Sequence, residues 1–357
     1  MINRELIRLK VVQLVYANYK NEGKTVDVAM QELMFSLAKS YELYKYLLTL
    51  LVALRDYAAR KDESSRNRAQ RLGTSIHGLT PDGRFADNAL LHQLAANQTL
   101  ADYVEKEKKP WPEEDGFVKK LYDQMVESDI FAMYMTKEDF SYEADREVVR
   151  KLYKTFVCHC DDLDAMLEDH SLYWNDDKEI VDSFVLKTIK RFHADSAADQ
   201  PLLPQFASDD DRQFAETLFT RTLKQHDELQ ELVRANCRNW KLERMPFMDV
   251  IIAEIAICEL LNFPTIPLSV TINEYLDIAK VYSTPRSASF LNGLLDHVAR
   301  QLFAEGRTMK RAEERPKKVE AEAEVAEAEK PRRRKISRPV GNVPGKPAPA
   351  GDEAEAE

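Results

Sequence analysis

The chain is expected to fold as an all-α protein. Apolar residues recur at helical spacing almost without a break as far as Ala304, and only 10 glycines punctuate 357 residues. A hydrophobic content of 44% is ample for a buried core. Residues 3–19 form one amphipathic helix with Ile7, Val11, Leu14 and Val15 on its stripe. Residues 27–59 divide into two more helices, the second carrying Leu43, Leu47, Leu50 and Leu54. Lys61 to Asn88 is polar, holds Gly73, Gly78, Pro81 and Gly83, and reads as a long loop. Helices resume over Asn88–Lys106 and Glu113–Ser128, on either side of Lys108-Lys109-Pro110-Trp111-Pro112.

Residues 145–190 align without a gap to 211–256, at an offset of 66. Seven identities in 46 positions include Leu152 on Leu218, Asp161 on Asp227, Trp174 on Trp240 and Ile189 on Ile255, and the hydrophobic register holds throughout. A duplicated helix–loop–helix and a chance match of two amphipathic hairpins both fit. Met248 to Leu261 is apolar nearly all round, which marks a central buried helix.

Residues 266–296 read as one assembled device. Pro267 and Pro285 punctuate two helices, and Thr271 with Glu274 has capping-box spacing. Ile272, Tyr275, Leu276 and Ala279 form one stripe; Phe290, Leu291, Leu294, Leu295 and Val298 form another after the break at Tyr282-Ser283-Thr284-Pro285. Gly293 sits inside the second helix, where it costs about 1 kcal/mol against alanine; a close helix or ligand approach would account for it. Beyond Ala304, Ala-Glu alternation (Glu320 to Glu329) and the cluster Arg332-Arg333-Arg334-Lys335 cannot bury enough apolar area to offset ordering entropy.

Bulk properties narrow the class. No run of 18 apolar residues exists, the first residues lack a signal-peptide core, and four cysteines suggest no disulfide framework, so a cytoplasmic protein is expected. With 61 acidic against 51 basic residues the formal charge is −10, and nucleic acid would need a local basic patch. Chemistry-bearing motifs are sparse. Cys158-His159-Cys160 lacks a second cysteine pair for a tetrahedral metal site, and helical spacing places Cys160 with Leu152, Phe156, Leu163 and Leu167 on a core stripe. Paired acids such as Asp161-Asp162 and Asp176-Asp177 fit solvated helix ends. No glycine-rich phosphate cradle occurs, so neither a cofactor nor catalysis is expected.

The 266–296 device resembles the NusB family of transcription antitermination proteins. The likeness rests on Ile266-Pro267, Val270-Thr271-Ile272-Asn273-Glu274, Ala279-Lys280 and Phe290-Leu291-Asn292-Gly293-Leu294-Leu295-Asp296, all in register. Trp240, Arg244, Asp249, Glu259-Leu260 and the first-helix run Val12-Gln13-Leu14-Val15-Tyr16 extend it. It covers roughly 1–55 and 211–303. The division expected is therefore 1–55 and 205–304 for a NusB-like bundle, 56–144 for a loop and inserted helices, 145–200 for a degenerate repeat, and 305–357 for a disordered charged tail.

The resemblance implies a non-enzymatic factor that binds a boxA-like single-stranded RNA in ribosomal RNA leaders. Its implied partners are the ribosomal protein NusE and the transcription elongation complex. The implied RNA residues are Arg4, Arg8, Lys280, Arg286, Phe290 and Asn292, with Phe290 equally suited to the core. Glu243 and Asp249 are the implied partner residues, although an acid at Asp249 also suits a helix N-terminus. Departures from the family pattern are a first helix with fewer arginines, Glu254 where arginine is common, Cys258 where tyrosine is common, and the insertion before Asp211. Two rivals stand beside this reading: a NusB-like domain of an rRNA methyltransferase system, which would require a cofactor-binding domain, and a protein-interaction scaffold without RNA binding.

Overall fold

The computed structural model describes residues 1–21, 24–72, 83–108, 110–112, 116–174, 176–237 and 245–310. Its order is α1 (Arg4–Lys20), α2 (Val26–Leu72), α3 (Ala89–Ala96), α4 (Gln98–Glu107), α5 (Phe117–Val126), α6 (Asp129–Thr136), α7 (Tyr142–Leu152) with a π-helical turn (Tyr153–Val157), α8 (Asp161–His170), α9 (Lys178–Arg191), α10 (Asp209–Lys224), α11 (His226–Asn236), α12 (Phe247–Asn262), α13 (Leu268–Tyr282) and α14 (Ser287–Ala304). The protein is all-α: among the described residues no strand forms, and one isolated bridge joins Ile2 to Phe206.

Side-chain caps explain six of the helix starts. Asn3, Asn88, Asn97, Ser128, Ser141 and Ser208 each accept a backbone N–H from the first turn of the helix that follows. At the centre lies α12, buried from Asp249 to Leu260 and packed by α1, α10, α11, α13 and α14. Side-chain contacts set α1 antiparallel to it: Arg8 reaches Glu259 near the end of α12, whereas Tyr16 touches Phe247 at its start.

Several expectations change. Residues 27–59 are not two helices but the first part of the 47-residue α2. The expected loop from Lys61 is likewise helical as far as Leu72, because no glycine or proline interrupts this stretch, and Asp62 and Ala69 are its buried positions beyond the stripe that runs from Leu33 to Ala58. The remainder of that loop, 73–82, lies outside the described residues. Thr271 caps nothing, since α13 already begins after Pro267; its hydroxyl instead donates to Glu259 inside the bundle. Adding 66 to α8 gives 227–236 against the observed His226–Asn236, and the same shift takes α9 to 244–257 against Phe247–Asn262. Trp240 lies outside the described residues, so its proposed equivalence with Trp174 carries no structural comparison.

The inserted helices pack along α2, and their loop before α9 is locked into the seam between α1 and α2. Lys10 makes a 2.8 Å ion pair with Asp177 and donates to the Tyr173 carbonyl. Ser40 donates to the same aspartate, Gln13 to Asp176, and the Trp174 indole to the Lys39 carbonyl. Both members of the Lys10–Asp177 pair are buried, so the pair fixes the seat of the loop more than it adds net stability.

The tail does not begin at residue 305. Gly306, in a left-handed conformation (φ +68°), turns the chain back onto the body. Arg307 then pairs with Glu228, Thr308 donates to the Leu260 carbonyl, and Lys310 donates to the Glu259 carbonyl and the Thr271 hydroxyl. Residues 311–357, including Arg332–Lys335, lie outside the described residues.

Candidate nucleic-acid interface

The break between α13 and α14 builds the most constrained exposed turn in the motif. The N–H of Ser283 closes α13 on the Ala279 carbonyl, and Pro285 biases Thr284 towards extended backbone. Ser287 donates its N–H to the Thr284 carbonyl at 3.0 Å, and the Thr284 N–H donates to the Ser287 hydroxyl at 3.1 Å. Arg286 therefore stands exposed immediately before α14 and makes no ion pair among the described residues. Lys280, in the last turn of α13, is exposed and pairs with Asp277. Phe290 is half-buried against the core, and Asn292 is half-buried. Gly293 has open space where a Cβ would project, so no internal packing accounts for it.

Two expected site residues are interior instead. Arg8 is 2% exposed. Its guanidinium gives two bonds to Glu259, at 2.8 and 2.9 Å, and lies 3.3 Å from Glu274. Burial opposes its charge, but the hydrogen bonds of Glu259 outweigh that and hold its proton more tightly than usual. An arginine committed in this way is not available to phosphate. Asp249, expected on a partner surface, is also 2% exposed. It accepts from Ser287 at 2.8 Å and from Ser283. Glu243 lies outside the described residues.

Arg4 remains partly exposed; its Nε lies 3.1 Å from Asp211 and its guanidinium over the Phe214 ring. The antiparallel packing puts Arg4 towards the end of α12 and Arg286 beside its start. Asp249 and Glu259, which mark these levels, are about 15 Å apart along the helix at 1.5 Å per residue. The structure thus gathers Lys280, Arg286 and Phe290 at one end and leaves Arg4 at the other.

Sequence reasoning missed a cluster at the Arg286 end. The exposed rings of Tyr16 and Phe247 lie 5.6 Å apart, with Lys20 4.4 Å from the Phe247 centroid. In the sequence Tyr16 stands only as the end of the first-helix run Val12–Tyr16, and Phe247 follows Pro246 with no helical stripe to mark it. Glu254 is fully buried: one carboxylate oxygen accepts from Tyr19 and lies 3.1 Å from the His226 ring, while the other finds no hydrogen-bond partner among the described residues, so this departure from the family pattern is met internally on one side only. The Cys158 thiol is pushed up to about 12 by burial and then by Asp182. Cys160 stands at the N-terminal end of α8 without a side-chain capping bond, half-buried and packed against the core as its stripe predicts. Among the described residues no group of three His, Cys, Asp or Glu side chains could hold a metal, and no helix is long and apolar enough to cross a membrane.

Comparison with known proteins converges on the same helices. A model of the NusB family matches residues 184–300. The transcription antitermination protein NusB of Salinibacter ruber is 38% identical over 132 residues, covering 35% of this chain and 82% of that protein. Its namesake in Natranaerobius thermophilus is 34% identical over 31% of this chain and 81% of its own length. For the Koribacter versatilis NusB the figures are 43% identity, 26% and 64%. No solved structure matches.

Proposed function

The chain belongs to the NusB family, and we propose on that premise that it is a cytoplasmic transcription antitermination factor that binds single-stranded, boxA-like RNA. The observation that carries the RNA reading is Arg286, an exposed guanidinium with no ion pair among the described residues, mounted on a turn hydrogen-bonded at both ends. Lys280 shares that end of the bundle, and the half-buried Phe290 offers a ring edge to an unstacked base. Arg4 would serve the same strand only if the RNA runs along the bundle. The open backbone at Gly293 gives a strand room to approach α14 closely.

NusE is the proposed partner, and the elongation complex the proposed setting. With Asp249 interior, the exposed Tyr16–Phe247–Lys20 cluster is the better docking surface near the start of α12. Family membership favours a transcription factor over the methyltransferase alternative. The scaffold alternative differs from the RNA reading in one measurable respect, salt dependence. Binding of a labelled boxA-like RNA should weaken with log salt, and Arg286→Ala should reduce that slope by about 0.7, the value for one phosphate contact on a single strand. Tyr16→Ala with Phe247→Ala should weaken capture of purified NusE while leaving the RNA slope unchanged. A wild-type chain that binds NusE but not RNA would establish the scaffold instead.

A further inference from the structure

We infer that Asp249 is a positioning residue for RNA: its buried carboxylate latches the α13–α14 turn and so holds Arg286 where a phosphate can reach it. The inference rests on the RNA reading above. Asp249 lies in the first turn of α12, where the helix N-terminus favours a negative charge. One carboxylate oxygen accepts from Ser283, the residue that ends α13; the other accepts from Ser287, the first residue of α14, at 2.8 Å. A single side chain therefore ties together both ends of the segment that contains Arg286. Ser287 extends the tie inward, because its oxygen also accepts the Thr284 N–H and lies 2.7 Å from the Thr284 hydroxyl.

None of these groups needs to touch RNA. Asp249 and Ser287 are 2% and 1% exposed, and a carboxylate in contact with phosphate would repel it. What they control is freedom. Without the latch, Thr284 to Arg286 keeps its proline and its own bonds to Ser287 but loses the ties that hold the turn to α12. The arginine would then lose backbone entropy on binding that the folded turn has already given up. An arginine on a held backbone gives a phosphate contact, whereas one on a wandering turn does not.

The test is a double-mutant cycle on the full chain, read as the slope of log affinity against log salt for a labelled short single-stranded boxA-like RNA. Arg286→Ala should reduce the slope by about 0.7. Asp249→Asn, which keeps the volume but loses the charge and one acceptor, should reduce it by a similar amount. Arg286→Ala should then remove nothing further in the Asp249→Asn background. Amide exchange at Thr284 should quicken in Asp249→Asn before any RNA is added. If Asp249→Asn does not fold, Ser287→Ala takes its place with the same expectation. The inference is overturned if Asp249→Asn keeps the wild-type slope, or if Arg286→Ala still removes its full share in that background, since a purely structural aspartate would lower the thermal midpoint alone. Should Arg286→Ala leave the wild-type slope untouched, the RNA reading of this turn fails, and the latch loses its role with it.

Discussion

Glu259 should be the most damaging position in the bundle to neutralise. It is fully buried and takes four bonds: two from Arg8, one from Thr271 at 2.8 Å and one from Tyr275 at 2.9 Å. Glu259→Gln replaces one carboxylate oxygen with an NH2 that faces donors, and it leaves the Arg8 charge paired only with the partly exposed Glu274. Removing one partner of a buried pair costs about 3–5 kcal/mol, and each orphaned donor adds roughly 1–3 kcal/mol before relaxation. Because these terms overlap, a net loss of about 4 kcal/mol is expected. Urea unfolding followed by helix signal would read it. Arg8→Met with Glu259→Met should be less damaging than Glu259→Gln alone, since removing both charges leaves no uncompensated ion. Arg8→Met should lower stability yet leave the RNA salt slope of the folded fraction unchanged, because Arg8 faces Glu259 and not solvent. A Glu259→Gln protein within about 1 kcal/mol of wild type would refute this account of the network.

Two further outcomes concern the segment that follows α14. Truncation after Glu305 should lower the thermal midpoint and truncation after Lys310 should not, since only the first removes the Thr308 and Lys310 bonds to Leu260, Glu259 and Thr271; equal midpoints would show that the strap holds nothing. The same segment should respond to pH. Burial holds the Lys310 ammonium down to about 8, against an ordinary 10.5. Between those values the unfolded chain keeps a proton that the folded chain has released, so stability should rise with pH across the window, by on the order of 1–2 kcal/mol. Lys310→Met should lack that rise, and parallel profiles for the two proteins would place the titration elsewhere.

The helical class, the boundaries of α1 and α12, and the family motif of α13 and α14 were legible from sequence, because apolar spacing and proline punctuation are local signals that tertiary packing only completes. Val250 to Leu260 could hardly have been anything but interior. The fate of charged residues was not legible in the same way. Spacing put Arg4 and Arg8 on one face of one helix, yet Arg4 stays near solvent while Arg8 is enclosed by Glu259, 251 residues further on. Asp249 looked like an ordinary acid at a helix start until Ser283 and Ser287 closed over it from another hairpin. Tyr16, Lys20 and Phe247 meet only because α1 runs antiparallel to α12. A helix sequence determines which residues share a face, because the backbone repeats every 3.6 residues. What covers that face comes from segments far along the chain, so whether an arginine stays open to solvent or meets a glutamate was decided by the tertiary structure alone.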